Sequence, residues 1–348
     1  MTAKKKACVI GHFGFGKNLL NGQTIKTKII TTELEKIFSA NQILKIDTHG
    51  GIKVLPRIMV QMIYAFKKCE NIIILPAHNG IRIFAPLCVA INKLFNKKLH
   101  YIVIGGWLPA FLEDKDRLSD KLKRFHGIYV ETSVMKSELE KHNFANVHIL
   151  KNFKDINIVS AAELSTEYYE PYRICTFSRV MKEKGIEDIV DAVISINEQY
   201  GKSVYTLDIY GPIDKEQIKW FENLKSKFPV YITYKGVVQF DKSVGVLKKY
   251  FLLIFPTKFF TEGIPGTILD AYAAGVPILA ARWESFEDVI DEGVTGIGYT
   301  FDDTNSLAES LVNIMKNPQI ITEKKKKCLE KANEYIPSKA ISALLEYM

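Results

Sequence analysis

Runs of β-branched and aromatic residues alternate with amphipathic stretches of helical length from one end of the chain to the other, and that alternation leaves few architectures open. A strand, a helix and a second strand in succession make a crossover, which sets the two strands parallel. In the first half the pattern predicts strands over 7–12, 42–47, 71–75, 99–104, 127–131 and 147–150, with helices over 22–39, 55–68, 81–95 and 134–142. In the second half it predicts strands over 172–177, 205–210, 230–234, 250–255, 277–280 and 296–299, with helices over 186–199, 215–227, 242–248, 265–274 and 305–315. A polar, weakly patterned stretch at 152–171 separates the two series. The 348 residues exceed the size at which a single core usually stops growing. The expected fold is α/β, with two doubly wound Rossmann-like domains over 1–155 and 156–335 facing a central cleft. An amphipathic tail, 336–348, is expected to pack back on the first domain. Ligands of such sheets gather beyond the carboxyl ends of the strands.

Composition removes several alternatives. The longest apolar stretch, 72–95, is broken by Pro76, His78, Asn79, Arg82 and Pro86, so no membrane-spanning helix is expected. The basic start, Met1 to Lys6, is followed by too short an apolar run for a signal peptide. Cys8, Cys69, Cys88, Cys175 and Cys328 are odd in number and never spaced as CxxC, which argues against a disulfide framework or a zinc site and for a reducing, cytoplasmic location. Charge divides the chain: residues 1–155 carry 25 Lys and Arg against 12 Asp and Glu, and the remainder carries 22 against 27. A basic half either attracts anionic partners, such as phosphorylated acceptors or an acidic membrane face, or is simply well solvated.

The sharpest segment runs from Phe255 to Pro277, FPTKFFTEGIPGTILDAYAAGVP. An apolar strand ends at Phe255, a loop delivers Glu262, and Gly263 and Gly266 let backbone approach a ligand where a helix begins. Pro265 suits that helix's first turn, and the N–H groups of Ile264, Gly266 and Thr267, with the positive end of the dipole, suit a diphosphate. Glu262 and Asp270 stand eight residues apart. Either they grip hydroxyls on both sides of the diphosphate, or Glu262 is a helix-end carboxylate and Asp270 a solvated residue.

This segment resembles glycosyltransferase family 4, whose pattern EGxGxxxLEAxAxGxPV is matched nearly throughout from Glu262 to Pro277, with Asp270 in place of the second Glu. The resemblance implies the GT-B fold and a retaining transfer, in which Glu262 contacts the donor sugar, Asp270 the ribose and the intervening amides the phosphates. Asp is one methylene shorter than Glu, which puts the ribose contact in question. Thr176 to Gly185, TFSRVMKEKG, is similar to the family's GRLxxxKG segment, with Ser178 where Gly is usual. Arg179 can fork two oxygens and Lys184 can place a point charge on a departing diphosphate. Gly211, closing Leu207 to Pro212, and Val237, after Gly236, match the strand end and the base-side loop of the same family.

The first domain resembles the family by architecture. Gly11 to Lys17 reads GHFGFGK, with glycines spaced GxxGxG instead of the dinucleotide fingerprint GxGxxG, and no acidic residue stands clearly at a strand end about 20 positions on. That leaves a flexible glycine loop, and the resemblance implies that Gly14 and Gly16 on it face the donor diphosphate and acceptor. Asn21, Gly22, Gln23 and Thr24 either hydrogen-bond sugar hydroxyls or cap the first helix. The family's strand-end His near the anomeric centre has no counterpart in Tyr101 to Pro109. His78, beside Asn79, either substitutes for it or is packed, and Trp107 either stacks on a sugar or joins the core. Asp114-Lys115-Asp116 has the DxD form of the other glycosyltransferase fold, but it lies in a charged run, and no metal or resident cofactor is expected.

These features together imply a metal-independent hexosyltransferase that uses a UDP- or GDP-sugar as co-substrate. A glycan or lipid-linked glycan is the expected acceptor, as in enzymes of bacterial capsule or lipopolysaccharide synthesis, with the basic, apolar 53–68 segment resting on the anionic inner membrane face. No nucleic-acid partner is expected. The alternative is a non-catalytic GT-B protein that binds glycan or supports a partner transferase, and it would show no preference among nucleotide diphosphates. A nicotinamide-dependent oxidoreductase is disfavoured by the glycine spacing.

Overall fold

The computed structural model describes residues 4–17, 22–165 and 167–348; Asn21 lies outside them. The chain divides into one unit of residues 1–155 with 335–348 and a second of residues 156–334. The first holds strands β1 (Lys5–Gly11), β2 (Ile43–Asp47), β3 (Cys69–Ile74), β4 (Lys98–Ile102), β5 (Gly127–Val130) and β6 (Val147–Ile149). All pair in parallel, in the order β2-β1-β3-β4-β5-β6. Helices α1 (Gly22–Phe38), α2 (Leu55–Lys68), α3 (His78–Phe95), α4 (Leu108–Leu112), α5 (Asp116–Leu122) and α6 (Ser133–Lys141) connect them.

Side chains of a strand point alternately to opposite faces, and here both faces are covered. Cys8, Ile10, Ile72 and Ile74 pack with Ile58, Met62 and Phe66 of α2 and Ile81 and Phe84 of α3. Ala7, Val9, Ile73 and Leu75 pack on the other face with Ile30 and Leu34 of α1. That second face is completed by Ala340, Ile341 and Leu344 from the end of the chain.

The second unit holds β7 (Tyr172–Phe177), β8 (Tyr205–Tyr210), β9 (Ile232–Gly236), β10 (Leu252–Phe255), β11 (Ile278–Ala281) and β12 (Gly296–Tyr299). They form a second six-stranded sheet, in the order β12-β11-β10-β7-β8-β9, again parallel. Its helices are α7 (Ile186–Tyr200), α8 (Ile218–Lys225), α9 (Ser243–Leu247), α10 (Gly266–Ala273), α11 (Phe286–Val289), α12 (Thr304–Lys316), α13 (Gln319–Thr322) and α14 (Lys325–Ala332). The short α15 (Pro337–Ala340) and α16 (Ser342–Leu345) belong to the first unit. Among the described residues no helix is long and apolar enough to cross a membrane.

Several bounds differ from the sequence expectation for physical reasons. Val230 is 99% exposed and lies before β9, because nothing packs on it. Pro265 caps α10 from outside, extended at φ −70° and ψ 128°, and Gly266 opens the helix. The α3 helix begins at His78 instead of residue 81. Residues 108–122, unassigned by periodicity, form α4 and α5, each too short to display a repeating face.

Strand order reverses once in each sheet, between β1 and β3 in the first and between β7 and β10 in the second. Loops leaving adjacent strands in opposite directions open a crevice there, the usual ligand position in open α/β sheets.

Leu344 is fully buried on the face that α1 also covers. Leu344→Ala should destabilise the first unit by about 2–5 kcal/mol, read as an earlier urea transition with the second unit's transition unmoved.

Candidate functional site

At the reversal point of the second sheet, the loops after β7 and β10 meet backbone to backbone. Gly185 has φ 63°, and a Cβ built on it would lie 1.9 Å from the Pro256 carbonyl oxygen. Gly211 has φ 131°, and its Cβ would lie 1.7 Å from the Ser178 carbonyl oxygen. Only glycine combines a positive φ with so close an approach. The Gly211 N–H donates to Gly236 O at 2.9 Å, and the Tyr234 hydroxyl donates to Gly211 O at 2.8 Å, so three strand-end loops are laced together.

This contact brings the Lys184 ammonium onto Glu262 Oε2 as an ion pair, although the two stand far apart in sequence. The Thr257 hydroxyl donates to the same oxygen at 3.1 Å. The Lys184 ammonium also lies 4.8 Å from the centre of the Phe259 ring. The two charged side chains retain 14% and 21% of their exposure, so they are partly desolvated but still reachable. Arg179 has a different partner: its guanidinium, 62% exposed, lies 3.6 Å from Asp214. Ser178 turns its hydroxyl to its neighbour's carbonyl, Arg179 O, at 3.2 Å.

Just beyond Glu262 the chain passes Gly263 and buried Ile264, turns at Pro265 and enters α10 with an exposed Gly266. The first N–H groups of a helix precede any carbonyl the helix can offer them. The Thr267 hydroxyl is buried here and, among the described residues, has no hydrogen-bond partner. Asp270 is 3% exposed, so it is not a solvated face residue; α10 is packed all round, with Ile268, Leu269 and Ala271 also buried. Val237, after β9, is 67% exposed beside Gly236.

The first unit treats its reversal point differently. The loop after β1 bends through Gly14 at φ 60° and Gly16 at φ 77°. Its amides close on a carboxylate that the sequence reading missed, at the end of β2. Asp47 Oδ1 accepts from Phe13 N at 2.9 Å, Gly14 N at 3.2 Å and His49 N at 2.9 Å, and Oδ2 accepts from Phe15 N at 2.9 Å. Burial works to raise the Asp47 pKa, and the four amide donors outweigh it and hold it below its ordinary value. The Gly14 amide is thus engaged inside the protein.

Above that carboxylate runs a chain of hydrogen bonds also absent from the sequence reading. Lys17 Nζ lies 3.1 Å from His49 Nε2, His49 Nδ1 lies 3.0 Å from His12 Nε2, and His12 Nδ1 lies 2.7 Å from Thr24 Oγ1. An ammonium only donates, so the inferred tautomers run from Lys17 through neutral His49 and His12 to the threonine oxygen. Burial, then His49, keeps the His12 pKa below its ordinary value, consistent with the neutral form. Two histidines in separate strand-end loops were the available signal, but loop partners cannot be paired from spacing alone.

Gln23 donates its side-chain amide to Leu75 O at 2.9 Å and ties α1 to the end of β3. His78 stacks on Trp107 with centroids 3.8 Å apart, and both rings meet Phe111 edge-on, at 5.5 and 5.2 Å. Trp107 is half-buried, and its indole N–H donates to Ile104 O at 2.8 Å. Burial, then the Arg82 charge, lowers the His78 pKa, so its imidazole is neutral at neutral pH. A cavity of about 540 Å³ opens here, with Gln23, Thr48, His78 and Asn79 along its polar wall and Leu55, Ile58, Ile83 and Phe84 along its apolar one. The five cysteines are free and buried. Among the described residues no three His, Cys, Asp or Glu side chains converge as a metal cradle.

Gly211→Ala and Gly185→Ala should each cost roughly 1–3 kcal/mol from backbone conformation alone, plus the overlap with a carbonyl. Gly236→Ala, at φ 77° with open space around its Cβ position, should show only the conformational part. Urea unfolding of the three variants checks the order, and equal losses would contradict it.

Residues 171–317 match the family model described as glycosyl transferases group 1. An uncharacterized glycosyltransferase of Methanocaldococcus jannaschii is 20% identical over 240 residues, which span 64% of this chain and 60% of that protein. An uncharacterized 41.2 kDa protein in the cps region of Klebsiella pneumoniae is 22% identical over 347 residues, 94% of this chain and 93% of that one. Among solved structures, Anabaena HepE in complex with UDP and glucose is similar with a TM-score of 0.73 at 12% identity, over 99% of this chain and 100% of that one. The two parallel sheets with their flanking helices thus have the GT-B architecture.

Proposed function

We propose that this chain is a retaining, metal-independent glycosyltransferase that moves a sugar from a UDP- or GDP-sugar onto a glycan or lipid-linked glycan in bacterial capsule or lipopolysaccharide synthesis. The observation that carries the reading is the Lys184–Glu262 pair at the strand reversal of the second unit, immediately before the open first turn of α10. Breaking the anomeric bond leaves positive charge on the sugar and negative charge on the departing diphosphate. Lys184 and the amides of Gly266 and Thr267 are placed to meet the latter before the chemistry begins, where fixed dipoles and charges lower the barrier most. The Thr267 hydroxyl supplies a further donor whose burial is uncompensated without a partner.

Glu262 then takes hydroxyls of the donor sugar, Asp270 takes the ribose, and the Gly211 and Val237 loops flank the base. Arg179 joins the diphosphate by leaving Asp214, an exposed pair of the kind worth about 0–1 kcal/mol. Resemblance to family 4 supports retention and metal independence, and UDP in the similar HepE structure supports the donor class. The cps-region relative supports the glycan context. In the first unit, Gln23, His78 and Asn79 line the acceptor cavity, with Trp107 behind His78.

Lys184→Ala and Glu262→Ala should each lower transfer, or donor hydrolysis, by about 10²–10³-fold across a panel of UDP- and GDP-sugars, with melting temperatures retained. Parental rates in both would reject the site.

The lipid side of the reading rests on α2. Met59, Val60, Ile63 and Tyr64 on this helix are 40%, 70%, 49% and 52% exposed, among Lys53, Arg57, Lys67 and Lys68. Apolar side chains framed by cations suit an anionic bilayer, at about 1 kcal/mol per basic residue near the surface. Phosphatidylglycerol vesicles should capture the chain, salt should release it, and Val60→Glu with Ile63→Glu should weaken capture. Capture indifferent to all three would remove the membrane from the proposal.

A further inference from the structure

On the outer side of α3 lies a groove of about 640 Å³, bounded by Arg82, Asp114, Lys115, Asp116, Arg117 and Lys121. Among the described residues no ion pair engages any of these six side chains, although the first unit is rich in cations and ion pairs form readily elsewhere on it, as at Lys6–Glu70. Two of the cations are held in place by an aromatic ring instead: the Arg82 guanidinium lies 5.0 Å and the Lys115 ammonium 4.5 Å from the centre of Phe111. A cation resting on a ring is tethered but not neutralised. Its charge stays available to a ligand.

We propose that this groove holds a phosphate monoester carried by the acceptor. The inference rests on the reading above that the first unit binds the acceptor. Four cations against two carboxylates leave an excess of two positive charges around the groove. That is the charge of a phosphate monoester above its second pKa of about 6, and more than a carboxylate would balance. Arg82 and Arg117 offer the planar fork that matches phosphate oxygens, and Lys115 and Lys121 add point charges. Position supports the same ligand. Arg82 sits one turn after His78 on α3, and Phe111 touches the His78–Trp107 stack. The groove and the cavity lined by Gln23, His78 and Asn79 therefore border one aromatic cluster. A sugar in the cavity places a phosphate substituent within reach of the groove.

The phosphate can be lipid-borne or part of a soluble sugar phosphate, and one experiment separates these. Calorimetric titration of the full chain with inorganic phosphate should show binding that Arg82→Gln with Arg117→Gln weakens about tenfold or more. Lys6→Gln, at an exposed cation of the same unit that does not line the groove, should leave it within about twofold. Both arginines are exposed, and unchanged melting verifies folding. No phosphate binding by the parent, parental affinity in the double arginine variant, or loss of binding in Lys6→Gln would each overturn the proposal. Preference for phosphatidic acid over phosphatidylglycerol vesicles, abolished in the double arginine variant, assigns the phosphate to a lipid. Equal capture of both vesicle types, alongside the loss of inorganic phosphate binding, assigns it to a soluble acceptor. UDP affinity read in Lys184→Gln tests the donor site separately: its survival there would fail that reading and leave the groove untouched.

Discussion

The site of the second unit depends on an atom that is missing: a Cβ on Gly185 would stand 1.9 Å from the carbonyl oxygen of Pro256. Because it is absent, the loops after β7 and β10 close on each other, and Lys184 and Glu262 meet where the strand order reverses. The same device recurs at Gly211 against Ser178. Tight backbone contact costs nothing in buried polar groups here, because Gly211 N and O both find partners in neighbouring loops. Side-chain chemistry in this unit is thus positioned by backbone, the least deformable part of the fold.

The two units are both doubly wound parallel sheets, yet they use their reversal points in opposite ways. In the first, the glycine loop after β1 spends three amides on Asp47, an anion supplied by the chain itself. A loop whose donors are saturated by an internal carboxylate has little left for an external one. In the second, the corresponding loops leave α10 with an open first turn and the Thr267 hydroxyl buried without a partner. The cations of the groove described above, Arg82, Lys115, Arg117 and Lys121, stand apart from the first unit's glycine loop in sequence and offer side chains in place of amides.

What was legible in the sequence follows from the same physics. Strands buried on both faces read as near-continuous apolar runs, which makes the strands at 71–75 and 250–255 legible in the sequence. Which face each residue joins was not legible, since period-two alternation carries no signal when both faces are apolar. The α4 and α5 helices were too short for a repeat, and Val230 was drawn into a strand by its type although nothing covers it. The order of the Lys184 and Glu262 segments was visible through their motifs, whereas Thr257, Asp47 and the His12–His49 chain were not. Each of these depends on which loops lie side by side, and strand order, not spacing, decides that. Asp270 illustrates the converse: its exposure could not be read from an i, i+8 interval, because α10 is buried on every side.

The partial burial of Lys184 and Glu262 bears on how a donor engages under the proposed reading. With 14% and 21% of their exposure left, these charges are too buried to be left unpaired cheaply and too exposed to be inert. Under the proposed reading a diphosphate draws Lys184 away, and Glu262 loses its counter-charge while keeping only the Thr257 hydroxyl. A sugar hydroxyl that donates to Glu262 restores part of what was lost. Nucleotide alone strands the carboxylate, and sugar alone finds it already occupied, so the two halves of a nucleotide-sugar support each other's binding at this pair. Under that reading the ion pair favours the intact donor over either half, with no element of the fold needed beyond the two loops that glycine brings together.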